Sequence, residues 1–192
     1  AKQDSINLAR QMKPVQPIAT DSTGATRADS NATTVAVINT DSNALAQQYG
    51  AFAVAATGEE KTFVIENEVQ KITLANKGGQ IKSVELKNYK TWDKKPLILF
   101  GNKANSLSYQ FFIDGNRDVD TKNLYFEPVG ETFTVKGDSS RSFTLRATLA
   151  PGKYIEQQYI LKGNSYLLDY NINMVGLNAA VAANNTYVNA VW

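Results

Sequence analysis

Residues 59–100 read EEKTFVIENEVQKITLANKGGQIKSVELKNYKTWDKKPLILF, and this stretch determines the fold class. Apolar and polar residues alternate through it in short blocks with a period of two, which is typical of β-strands that bury one face. Gly78 and Gly79 separate two of these blocks, at a position where a hairpin turn needs positive φ. The stretch therefore predicts consecutive antiparallel strands joined by tight turns.

The same alternation continues further along the chain. The predicted strands are Thr62–Glu66, Val69–Ala75, Ile81–Tyr89, Pro96–Phe100, Leu107–Ile113, Leu124–Phe126, Thr132–Lys136, Ser142–Leu149, Lys153–Leu161 and Ser165–Val175. The last three form a predicted meander with one buried and one solvated face. We assign Gln157, Gln158, Asn171 and Asn173 to solvated faces, where they either line a groove or meet water. Because βαβ alternation is missing, the predicted fold class is all-β, an antiparallel β-sandwich.

The first 58 residues lack this pattern. They are rich in Ala, Thr, Ser, Asn and Asp, and the first aromatic residue of the chain is Tyr49. Because aromatic side chains supply much of a core's buried area, this segment has little with which to offset the entropy cost of ordering. We predict a disordered, flexible polar linker at residues 1–58, with a weak helical tendency over Ser42–Phe52, and a folded domain at residues 59–192.

Two reactive residue types are missing, because the chain has no His and no Cys. Their absence excludes disulfides, thiol catalysis, His-based triads and the usual zinc sites. The net charge is +2, from 20 basic and 18 acidic residues without a basic block, so nucleic-acid binding is not favoured. No apolar run in the sequence approaches the roughly 20 residues that span a bilayer. We therefore expect no catalytic residue, no cofactor and no metal, and a protein that is not an enzyme.

One acidic run is a candidate metal loop. Asp114, Asn116, Asp118 and Asp120 alternate in the sequence DGNRDVD, with a spacing similar to that of a calcium-binding loop. The glycine and the final acidic residue that such a loop requires are absent from the corresponding positions. We therefore predict a polar hairpin loop here.

Tyr89 and Trp92 are the candidate surface for a partner or ligand. Tyr89 precedes the loop Lys90–Lys95, Trp92 lies within it and Phe100 follows it. Aromatic rings at or next to turns can bind sugars or peptides. The competing interpretation is that these rings close one end of the sandwich core. If they bind sugars, the chain is a carbohydrate-binding β-sandwich module, which is the alternative to the function implied below.

The stretch Phe63–Phe100 resembles the start of the large periplasmic domain of YidC-type membrane protein insertases, in the form found in Bacteroidetes. The matching features are EN after the opening strand, the sequence NKGG, the pattern IxxVxL at Ile81, Val84 and Leu86, and KPLxLF at Lys95–Phe100. YQFF at Tyr109–Phe112 and the run at Gly152–Gly176 also resemble this family. The resemblance covers about residues 60–178 and consists of many short elements, without a catalytic motif.

This resemblance implies a β-supersandwich domain on the periplasmic face of the bacterial inner membrane, within a multi-pass protein. The implied function is that of a non-enzymatic docking or accessory module that assists the insertion and folding of membrane proteins. The implied partners are Sec translocon components, such as a SecF-like accessory subunit, and nascent membrane proteins, with membrane association through segments absent here. Because related domains usually continue beyond the position of Trp192, we expect an incomplete sandwich with an unpaired edge.

Overall fold

Antiparallel strands dominate the structure, a computed structural model that describes residues 42–101, 106–182 and 187–192. One α-helix, α1 (Ser42–Tyr49), and two short 3-10 helices (Gly50–Ala55 and Thr121–Asn123) accompany them. The strands are β1 (Thr62–Glu66), β2 (Gln70–Ala75), β3 (Gln80–Lys90), β4 (Pro96–Leu99), β5 (Ser108–Ile113), β6 (Arg117–Asp120), β7 (Glu127–Val129), β8 (Ser140–Ala150), β9 (Lys153–Lys162), β10 (Leu168–Val175) and β11 (Asn189–Val191).

The first sheet has the strand order β1-β2-β3-β4, with every neighbouring pair antiparallel. The turn between β2 and β3 contains Gly78 and Gly79 at φ of +73° and +61°, so the predicted positive-φ hairpin turn is confirmed. In β2 the side chains of Ile72 and Leu74 are fully buried, whereas Thr73 between them is only half-buried. The alternation in the sequence thus corresponds to one face directed at the core.

The second sheet has the order β10-β9-β8-β7, and the third has the order β11-β5-β6. The predicted meander is confirmed, since β8 pairs with β9 and β9 pairs with β10, both antiparallel. Phe143 and Leu145 are buried on β8, and the ring of Phe143 lies 5.5 Å from that of Phe63 on β1, measured between centroids. Side chains of the first two sheets therefore meet in one core, and the predicted antiparallel, sandwich-like fold class is confirmed.

Two predicted strands are wrong. Leu124–Phe126 and Thr132–Lys136 form no named strand and take part only in the isolated bridges Lys77↔Tyr125 and Glu66↔Thr134. Their alternating apolar side chains are nevertheless buried: Leu124, Phe126, Phe133 and Val135. The alternation of apolar and polar residues in these two segments indicates an extended backbone with one side buried. It does not require the ladder of hydrogen bonds that defines a strand.

The N-terminal boundary of the folded domain differs from the predicted one at residue 59. Phe52 and Ala55 lie three residues apart, on one side of the 3-10 helix Gly50–Ala55, and both are buried. Tyr49, the last residue of α1, is buried as well. The guanidinium of Arg117 donates hydrogen bonds to the carbonyls of Ala46 and Gln47 at 3.2 and 2.8 Å, which satisfies carbonyls near the end of α1. Residues 42–55 therefore belong to the folded domain, and the rest of the predicted linker before residue 42 lies outside the described residues.

Candidate functional site

A cleft of about 530 Å³ lies between the first and second sheets. It is lined by residues of β2, β3 and β4 on one side and of β9 and β10 on the other, so both edge strands β4 and β10 contribute to its walls. The walls are mostly aliphatic and aromatic, and include Ile81, Leu86, Leu99, Leu168 and Tyr170. Such a mostly apolar concavity with few polar groups is typical of a binding site for an apolar ligand or segment.

Gln157, Tyr159 and the glycine turn form a polar region at one end of the cleft. Gln157 Nε2 donates a hydrogen bond of 3.0 Å to the Gly78 carbonyl, and the Tyr159 hydroxyl donates to the Gly79 carbonyl. The same hydroxyl lies 2.9 Å from Gln157 Oε1. These contacts tie β9 of the second sheet to the β2–β3 turn of the first, so the polar groups hold the two sheets together at this end of the cleft.

The assignment of Gln157 to a solvated face is wrong. Its side chain is buried, whereas its neighbour Gln158 is half-buried. Because successive side chains of a strand point to opposite faces, the two glutamines cannot share one. The alternation of Ile155, Gln157 and Tyr159 along β9 was the signal for a core-facing Gln157.

Aromatic rings form one wall of the cleft. Tyr170 stacks on Tyr109 with ring centroids 6.4 Å apart and planes at 6°, and its ring also contacts Tyr159 at 5.2 Å. Burial raises the pKa of both Tyr159 and Tyr170 above the ordinary value for tyrosine, because an apolar environment disfavours the phenolate. The hydroxyls therefore stay protonated at neutral pH and act as hydrogen-bonding groups, without a charge.

Tyr89 and Trp92 lie in different environments. Tyr89 is at the rim of the cleft, 52% exposed, with its ring edge-on to Tyr166 at 5.8 Å. Trp92 is 96% exposed in the loop between β3 and β4 and is not among the residues that line the cleft. Phe100 also lines the cleft. The structure therefore separates the two predicted residues, one beside the cleft and one on a projecting loop.

The acidic run Asp114–Asp120 forms the β5–β6 hairpin. Gly115 and Asn116 occupy the turn with φ of +78° and +55°, and Asp120 is buried at the end of β6. Its carboxylate accepts hydrogen bonds of 2.9 Å from Gln110 Nε2 and from the backbone N–H of Lys122. Within the described residues, no group of three or more acidic side chains is arranged to hold a metal ion.

Asp120→Asn is expected to cost roughly 1 kcal/mol of folding free energy at pH 7, because charge-assisted hydrogen bonds are lost. Burial acts to raise the pKa of Asp120, but hydrogen bonds from Gln110 and Lys122 outweigh it and hold the pKa below its ordinary value. A lowered pKa means stabilisation that is present above the ordinary pKa of aspartate and is lost as pH falls through the folded-state pKa. Urea unfolding of both proteins from neutral to acidic pH should show their stability difference shrinking, and a constant difference would contradict this account.

Acidic side chains on and next to β1 also have structural partners. Glu66 forms an ion pair of 2.8 Å with Lys87, and Glu60 forms one of 3.0 Å with Lys77. The carboxylate of Glu68 accepts a hydrogen bond of 2.9 Å from the backbone N–H of Gly137. Through these contacts, the acidic side chains on and next to β1 connect this part of the chain to a neighbouring strand and to two turns.

Comparison with known proteins identifies the family of this domain. Residues 62–192 match the family described as the YidC periplasmic domain, which includes β1 to β11 and every residue named in the cleft. The chain belongs to this family. Within the described part of this YidC-family domain, no helix is long and apolar enough to cross a membrane.

Several full-length relatives of the domain carry the name membrane protein insertase YidC. The chain is 39% identical over 130 residues to that of Cytophaga hutchinsonii, which covers 68% of this chain and 20% of the relative. Identity is 35% over 160 residues with that of Bacteroides fragilis, covering 83% and 25% of the two chains. Identity to the insertase of Chlorobium luteolum is 32% over 189 residues, which cover 94% of this chain and 32% of the relative. This YidC-family chain thus spans between a fifth and a third of the length of these relatives.

Proposed function

We propose that this YidC-family domain is a non-enzymatic docking module, which assists the insertion and folding of membrane proteins at the periplasmic face of the bacterial inner membrane. The observation that carries the proposal is the apolar cleft between the edge strands β4 and β10. Its proposed occupants are extended apolar segments of nascent membrane proteins and of a SecF-like accessory subunit of the Sec translocon. The full-length protein would be multi-pass and would hold the domain at the membrane surface.

The shape of the β10 edge supports an extended occupant. Within the described residues β10 pairs with β9 alone, so one side of its backbone is available to a further strand. Its side chains Leu168, Tyr170, Ile172 and Met174 are half-buried on one face, while the alternate residues are exposed. A peptide that adds to such an edge gains main-chain hydrogen bonds, and every second side chain can enter the adjoining pocket.

The chemistry of the cleft supports an apolar occupant. Two of its polar side chains, Gln157 and Tyr159, are already engaged in hydrogen bonds with each other and with the glycine turn. Transfer of apolar side chains into such a cleft removes about 25 cal/mol of unfavourable hydration free energy for each Å² buried. Segments of membrane proteins have this character, because most of their residues are apolar.

Site-specific photocrosslinking in cells tests this proposal. A benzophenone amino acid at Leu168, which lines the cleft, is expected to crosslink nascent membrane proteins or the Sec accessory subunit. The matched control is the same probe at Asp169, the neighbouring exposed residue of β10, where we expect several-fold less product. Equal labelling at both positions, or none at Leu168, would contradict a docking role for the cleft.

A further inference from the structure

The β3–β4 hairpin differs in charge from the rest of the molecule. Residues 80–100 contain five lysines and two acidic residues, a net charge of +3, whereas the whole chain carries +2. All other residues together therefore have a net charge of −1. Within the hairpin loop, Lys95 forms an ion pair of 2.7 Å with Asp93. Lys94 of the loop and Lys90 at the end of β3 form no ion pair with any described residue, so this end of the hairpin presents two uncompensated cations.

The same loop exposes a large aromatic side chain. Trp92 is 96% exposed, and no ring of the described residues stacks on it. Ile98 on β4 and Tyr89 on β3 are both more than half exposed. An exposed tryptophan beside apolar and basic residues is a combination that a purely structural loop does not require.

The backbone of the loop is fixed by its own hydrogen bonds. The N–H of Thr91 donates to the carbonyl of Lys95, and the N–H of Lys94 donates to the carbonyl of Thr91, both at 2.9 Å. The N–H of Lys95 also donates to the Thr91 hydroxyl at 3.1 Å, and that hydroxyl contacts the Asp93 carboxylate. The ring of Trp92 is therefore held outward by an ordered turn, so its exposure requires no unfolding of the loop.

We propose that the hairpin loop Thr91–Lys95 binds the surface of an anionic lipid bilayer, with Trp92 in the interfacial region and Lys90 and Lys94 at the lipid phosphates. Tryptophan is enriched at membrane–water interfaces, because its ring is apolar and its indole N–H can hydrogen-bond at the level of the headgroups. Lysine side chains near an anionic surface add electrostatic attraction that weakens with salt. The inference rests on the proposed position of the domain beside the inner membrane, but it concerns Lys90 and the loop Thr91–Lys95, none of which lines the cleft.

Tryptophan fluorescence tests the proposal directly. The chain contains two tryptophans, Trp92 and Trp192, so the variant Trp192→Phe makes Trp92 the single reporter. Mixed phosphatidylcholine and phosphatidylglycerol vesicles are expected to shift its emission to shorter wavelength, as the ring leaves water. Vesicles of phosphatidylcholine alone, or the mixed vesicles at high salt, are expected to give a much smaller shift. No shift with the mixed vesicles, or an equal shift with both compositions, would overturn the proposal.

Single variants distinguish the contribution of the Trp92 ring to vesicle binding from that of the lysine charges. In vesicle sedimentation, Lys90→Gln and Lys94→Gln should each lower the partition coefficient about fivefold, and Trp92→Ala should abolish measurable binding. Lys153→Gln, at an exposed lysine outside the hairpin, is the matched control and should bind like the unchanged chain. Equal losses in the hairpin variants and in Lys153→Gln would indicate non-specific attraction and refute the hairpin assignment. A shift of Trp92 emission by soluble sugars in place of vesicles would also refute it, in favour of a carbohydrate site.

The docking proposal and the hairpin proposal can be tested independently of each other. Trp92→Ala should leave photocrosslinking from Leu168 unchanged, because Trp92 does not line the cleft. Normal crosslinking without vesicle binding would remove the hairpin proposal alone, whereas vesicle binding without crosslinking would remove the docking proposal alone.

Discussion

Phe52→Ala is expected to destabilise the domain by about 3–5 kcal/mol, the range for removal of a fully buried aromatic side chain. Phe52 is 0% exposed and lies against Phe111 of β5, with ring centroids 5.3 Å apart. The loss combines apolar area returned to water with a cavity that the surrounding sheet cannot fill. Guanidinium or urea unfolding followed by circular dichroism measures this difference.

Val54→Ala is the matched control for Phe52→Ala. Val54 lies in the same 3-10 helix but is 70% exposed, so its truncation should change the free energy of unfolding by less than about 0.5 kcal/mol. If Phe52→Ala had as small an effect as Val54→Ala, residues 50–55 would not be part of the cooperative core, and the domain boundary predicted at residue 59 would stand.

Gly79→Ala is expected to cost about 3 kcal/mol, from two sources. The residue has φ of +61°, where a side chain adds roughly 1–2 kcal/mol of strain. A Cβ there would also lie 2.3 Å from Oε1 of the buried Gln157, so the turn or β9 must shift, at a cost typical of overpacking. The same displacement would disturb the hydrogen bonds from Gln157 and Tyr159 that join the two sheets.

Gly137→Ala measures how much folding free energy is lost through backbone strain alone. Gly137 has the same φ of +61°, but no atom lies within 4 Å of the position of an added Cβ. We therefore expect a loss of about 1 kcal/mol from strain alone. Similar losses for the two variants, measured by thermal or urea unfolding, would mean that the contact with Gln157 contributes little and that only the turn geometry demands glycine at residue 79.

The strands that could be predicted from sequence are those with an amphipathic pattern. Apolar residues alternate clearly in β8 and β10, and their predicted positions differ from the observed ones by no more than three residues. Strands β6, β7 and β11 were not predicted, because they contain only three or four residues each and their side chains are largely polar or exposed. In segments this short a strand is recognised only where apolar residues dominate, as they do in β4.

The candidate site was only partly predictable for a related reason. Tyr89 stood out because it is an aromatic residue next to a turn, but Gln157, Tyr159 and Tyr170 lie in ordinary strand positions. What brings them together with Gly79 is the packing of one sheet against the other across nearly 80 residues of sequence. Local pattern carries no information about which sheet faces meet, since that depends on the complementarity of whole surfaces.

The sequence by itself determined the all-β class, the positive-φ turn at Gly78-Gly79, and the resemblance of residues 60–178 to the YidC periplasmic domain. These features are local, because backbone conformation and face alternation depend on neighbouring residues. Only the tertiary structure decided that Phe52 lies in the core, that β4 and β10 border one apolar cleft, and that Trp92 is held out from it. Those features depend on contacts between distant segments, whose free energy exists only once the sheets have packed.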